Sequence, residues 1–64
     1  MRAGEFLEAE KLIRVCLEVR RQALGERHPE VAGAEYWLGR CQEGLRKHAE
    51  AARVFARAAE TYRH

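Results

Sequence analysis

Apolar positions along the chain fall into three stretches divided by polar breaks, and within each they recur at steps of three and four. In the first stretch Phe6, Ala9, Leu12, Ile13, Cys16, Leu17, Ala23 and Leu24 form one stripe, which Val15 and Val19 widen on a flank. That period predicts a helix over about 5–24 that is apolar on more than one side, as suits an element lying between neighbours. Val31, Ala34, Leu38, Cys41 and Leu45 predict a second helix over about 29–44. Ala51, Ala52, Val54, Phe55, Ala58, Ala59 and Tyr62 predict a third over about 48–62. Eleven Ala, with abundant Leu, Glu and Arg, are strong helix formers, and β-branched residues are few.

The breaks carry their own chemistry. Gly25-Glu26-Arg27-His28 is a loop: Gly25 suits a left-handed position past a helix end, and Pro29 fits the first turn of the next helix. Glu30 in that turn complements the helix dipole. Gly39 admits a second backbone at close range. Gly44 is expected to end the second helix in the left-handed position, with Leu45-Arg46-Lys47 as the turn. Connections this short make neighbouring helices antiparallel. The fold class is all-α, three antiparallel helices in one domain over residues 1–64.

Composition removes most catalytic chemistry. The 64 residues contain no Ser, Asp or Asn and one Thr, Thr61. A serine nucleophile, a phosphate-binding P-loop, an EF-hand and an N-glycosylation acceptor are therefore excluded. Two cysteines do not form a paired-thiol motif, and three scattered His lack the i, i+4 spacing of a metal site; no metal or cofactor is expected, and no enzymatic activity. Cys16 and Cys41 read as reduced, inward-packing thiols of a cytoplasmic protein, without a bridge between them. No apolar run reaches the length of a membrane span. The net charge of +2 is too small to argue for nucleic acid. A basic face of Arg20, Arg21, Arg53, Arg57 and Arg63 would suit DNA or RNA, but Glu50 and Glu60 share the third helix and argue for a mixed, solvated surface.

Shifting the chain by 42 residues places Glu8-Ala9 on Glu50-Ala51, Ile13 on Phe55 and Cys16 on Ala58. A period of that size built from paired helices is the signature of a helical solenoid. Leu38-Gly39, then Ala51, Phe55 and Ala58, keep the spacing of the tetratricopeptide repeat, which the chain resembles. Gly4, Phe6 and Ala9 are similar to the entry of that family's second helix, helix B. The 42-residue period and Leu24-Gly25-Glu26-Arg27-His28-Pro29-Glu30-Val31-Ala32 resemble the kinesin-light-chain subtype. The chain departs from the pattern at Arg46, usually Gly, at His48, usually Tyr, and at Glu35, usually Trp or Leu. Trp37 either turns inward to compensate for Glu35 or faces the groove.

The resemblance implies an order of B, A, B and a protein-interaction or scaffold role. It places Gly33, Tyr36, Trp37, Arg40 and Glu43 on the concave face that receives a peptide or a partner's helix. Tyr36 and Trp37 replace a pair of Asn common in the subtype, and beside Arg40 they favour a ligand with an apolar anchor and an acidic group. His28 is expected to hydrogen-bond neighbouring backbone. Ala9, Ile13 and Cys16 lack the helix that would cover them, so either neighbouring repeats of a longer chain or a second copy is expected there. A third possibility is an oligomerisation segment of a larger protein with no ligand of its own.

Overall fold

The computed structural model describes residues 3–63. Three helices, α1 (Ala3–Leu24), α2 (Pro29–Gly44) and α3 (His48–Tyr62), run up, down and up. Helix α2 lies between the other two, which do not pack on one another. The result is one open layer, 33 × 20 × 14 Å, and not a closed bundle. Each outer helix therefore keeps one broad face uncovered.

Local chemistry sets the ends. Gly25 stands at φ 88° and its N–H donates to the Arg21 carbonyl at 2.9 Å, closing α1. His28 caps α2: its Nδ1 accepts from the Glu30 N–H at 3.1 Å, so this loop histidine does bond backbone. The end of α2 differs from expectation. The Lys47 N–H reaches the Gln42 carbonyl at 2.8 Å and the Arg46 N–H the Glu43 carbonyl at 2.9 Å, which is the Schellman pattern. The left-handed residue is Arg46, at φ 62°, and not Gly44, which is still helical. A side chain there carries a steric cost that glycine avoids.

The core is built on α2. Val31, Ala34 and Leu38 are buried against Leu17 of α1, with Ile13 and Val54 packed at its margins. Ala51 and Ala58 close the α3 side. Two glycines let aromatic rings come close. A Cβ on Gly39 would sit 2.6 Å from the half-buried ring of Phe55, and one on Gly44 would sit 2.5 Å from the ring of Phe6.

Several apolar residues expected to be buried are exposed: Leu12, Cys16, Ala23 and Leu24 on α1, and Ala52, Ala59 and Tyr62 on α3. The reason is the layer itself, because only α2 is available to cover either outer helix. In their place four polar side chains are buried: Glu10, Glu35, Gln42 and Thr61. Glu35 Oε2 accepts from Arg21 at 3.2 Å and lies 3.9 Å from Arg57, while Thr61 donates to Oε1 at 3.2 Å. One carboxylate on the middle helix thus ties both outer helices. Trp37 does not compensate for Glu35; it is 59% exposed.

Candidate functional site

Helical spacing sets Gly33, Tyr36, Trp37, Arg40 and Glu43 on the face of α2 opposite its buried residues. Tyr36 and Trp37 meet edge to face at 5.5 Å between ring centroids. Phe55 of α3 flanks Tyr36 at 5.8 Å. Arg40 Nη1 donates to the Tyr36 hydroxyl at 3.1 Å, and Arg40 Nε lies 3.7 Å from Glu43. Gly33 leaves open space where a side chain would stand.

On the α1 side this surface dips into a cleft of about 420 Å³ lined by Phe6, Trp37, Arg40, Cys41, Glu43 and Gly44. Its floor exists because Gly44 has no side chain and Phe6 lies over it. The arrangement offers an aromatic wall on each side of an apolar hollow, with a guanidinium at the rim. Such a surface takes an apolar side chain and can pair a carboxylate. Sequence reasoning did not assign Phe6 to this site. The available signal was its position at the entry of α1, one turn before Ala9.

The other candidate residues scatter. Ala9 and Ile13 are half-buried, Ile13 at the edge of the core, whereas Cys16 is exposed and does not pack inside this chain. Its counterpart Ala58 is buried because α3 presents that face to α2. Cys41 is buried, and burial together with the nearby Glu10 carboxylate pushes its thiol above the usual range. Of the arginines that could have formed a basic face, Arg20 donates to the Glu30 carbonyl at 3.1 Å, and Arg21 and Arg57 face Glu35. They are engaged within the fold, which speaks against a phosphate-binding surface.

A polar seam joins α1 to the turn before α3. Glu10 accepts from Arg14 at 3.2 Å and from Lys47 Nζ at 3.3 Å. Burial alone raises this carboxyl, yet those hydrogen bonds and the two positive charges outweigh it and hold it below its ordinary value. Among the described residues no group of His, Cys or Glu is arranged to hold a metal, and no helix is long and apolar enough to cross a membrane.

Neither a curated relative nor a solved structure matches the chain. The family comparison does: the tetratricopeptide repeat matches residues 1–64, the whole length, in accord with the antiparallel helices, the Gly39–Phe55 contact and the buried Ala51 and Ala58. The chain belongs to the tetratricopeptide repeat family.

Proposed function

We propose that the chain is a non-enzymatic scaffold module that binds a segment of a partner protein across the outer face of α2. Repeats of this family are protein-interaction modules, and the face carries Gly33, Tyr36, Trp37, Arg40 and Glu43. The observation behind the reading is the cleft between Phe6 and Trp37 with Arg40 at its rim. An apolar side chain of the ligand fills the hollow, and an acidic group next to it exchanges with Glu43 for Arg40. The 42-residue offset and the Leu24–Ala32 linker support the kinesin-light-chain-like subtype. Two unbridged thiols support a cytoplasmic setting.

A fluorescent peptide carrying Leu or Phe next to Glu is the probe, read by anisotropy, with a Lys-for-Glu peptide as control. Trp37→Ala is expected to weaken binding at least about tenfold, as an exposed aromatic anchor does. Arg40→Glu is expected to remove the preference for the acidic peptide. Unchanged affinity in Arg40→Glu and Tyr36→Ala, with helicity intact, rules the face out.

The reading has a second element: the uncovered side of α1, where Cys16 is exposed and half-buried Ala9 lies at the edge, receives a further copy of the chain, giving a homo-oligomer; Ile13, expected on the same face, packs toward α2 instead. The exposure of Leu12, Val15 and Val19 on that side supports it, because a continuous apolar stripe on a helix is an interaction surface.

A further inference from the structure

The side of α1 turned away from α2 carries Leu12, Val15, Cys16 and Val19, spaced so that they share one helix face. Leu12 is 62%, Val15 64% and Val19 59% exposed. The internal repeat says what kind of surface this is. At the 42-residue offset Leu12, Cys16 and Val19 stand on Val54, Ala58 and Thr61. Those three α3 residues face α2: Ala58 and Thr61 are buried and Val54 packs at the core. Along Leu12, Cys16 and Val19 the α1 stripe therefore has the register of a helix-packing face, with no described helix on it; Val15 stands on the exposed Arg57 and widens that face on one side.

The charges beside the stripe indicate which helix fits. Lys11 and Glu18 lie on one flank, two turns and about 10 Å apart; Ala9 and Cys16 lie on the other. In an antiparallel pair related by a two-fold axis, each flank meets the same flank of the copy. A two-fold axis between Arg14 and Val15 sets Lys11 opposite Glu18 of the copy, and Glu18 opposite its Lys11. The same register drops Leu12 into the gap between Val15 and Val19 of the copy. The small flank, Ala9 and Cys16, then lets the two backbones approach. A parallel pair would put the charged flank against Ala9 and Cys16, which offer it no partner.

We infer that a second copy of this chain packs antiparallel on α1, with Leu12, Val15 and Val19 at the centre and two Lys11–Glu18 pairs at the edge. This rests on the self-association element of the proposed function and gives it a face, a direction and a register. The contact from Glu8 to Arg21, the two ends that the axis exchanges, runs about 20 Å. It removes on the order of 1,000 Å² in total, the lower edge for a specific interface, so a weak dimer that depends on concentration is expected. The contact leaves the outer face of α2 free.

Sedimentation of the intact chain from about 5 to about 500 µM tests it. The expected result is a monomer–dimer equilibrium that Val15→Glu abolishes without loss of helicity. Lys11→Glu, which touches no core residue, is expected to weaken the dimer at least about tenfold, because both edge pairs then become like-charged. Lys11→Glu combined with Glu18→Lys is expected to restore it. A monomer throughout the range overturns both the inference and the self-association reading. A dimer that survives Val15→Glu overturns the inference but leaves self-association standing at another face. Failure of the charge exchange to restore dimerisation overturns the antiparallel register. Peptide affinity at α2 is measured separately, so none of these outcomes is confused with failure of that site.

Discussion

The two helix contacts of this small layer are made differently. Between α2 and α3 the closure is mainly apolar and small: Phe55 lies on Gly39, and Ala51 and Ala58 sit buried beside it. Between α1 and α2 a similar ring-on-glycine contact, Phe6 on Gly44, is joined by a charged link, Arg21 with Glu35, and Glu10 ties α1 to Lys47 in the turn after α2. The apolar contact depends on shape and tolerates no added atom. The charged one depends on pairing, and it leaves Phe6 near an open cleft where a ligand can reach it. Shape therefore weighs more in the pair α2–α3, to which Thr61 adds a buried hydrogen bond with Glu35, whereas charge adds to the Leu17 packing that holds α1 beside the cleft.

The largest test of that contrast is Glu35→Ala. It leaves Arg21 facing a buried space with no carboxylate and also removes the acceptor of Thr61. The expected loss is about 3 kcal/mol in urea unfolding, the cost of breaking a buried pair from one side. Glu35→Leu alone is expected to recover little, because Arg21 stays unpaired, whereas Glu35→Leu combined with Arg21→Leu is expected to recover most of it. Gly39→Ala comes next, at about 2 kcal/mol, because the new Cβ meets the Phe55 ring wedged between helices. Gly44→Ala is expected to cost less than about 1 kcal/mol, because Phe6 can swing toward the cleft and Ala gains helix propensity. It should nevertheless weaken peptide binding by displacing the ring. Equal losses at the two glycines would erase the distinction between the contacts.

Arg46→Gly tests the junction that serves both contacts. Arg46 occupies a left-handed position and its neighbour Lys47 supplies the link to Glu10. Relieving the backbone is expected to stabilise the chain by about 1 kcal/mol. Thermal unfolding of the two proteins side by side checks the sign.

How much of this was legible beforehand depended on how local the cause was. The loop at Gly25 and Pro29, the cap at His28 and the small residues Gly39, Ala51 and Ala58 act through near neighbours or a fixed repeat, and the residues alone announce them. The exposure of Leu12, Cys16, Ala52 and Tyr62 follows from how many helices are present to cover them, which periodicity does not encode. Glu35 was visible as a departure from the repeat, but not its partners, because Arg21 and Thr61 lie 14 and 26 positions away. At the candidate face the α2 residues were legible as one helix side. Phe6 was not, since its place beside Trp37 is decided by the way α1 crosses Gly44.

The smallest expected effect concerns Glu10 and separates charge from shape by titration. Its carboxyl is held below the ordinary value of 4.5 in the fold, burial being outweighed by Arg14 and Lys47. The ionised form is thus the one the folded chain favours. Its contribution is fully present above the unfolded value and is lost as pH falls through the lower, folded one. Glu10→Gln is expected to lower stability at neutral pH and to flatten the decline on acidification. Urea midpoints from about pH 6 to about pH 3 show whether the two curves converge at the acid end. Gly39→Ala, which alters shape and no charge, is expected to run parallel to the unaltered chain over the same range. Parallel curves for Glu10→Gln as well would mean that the seam between α1 and the turn before α3 owes nothing to the ionised Glu10 carboxylate, leaving Arg21–Glu35 to link α1 by charge.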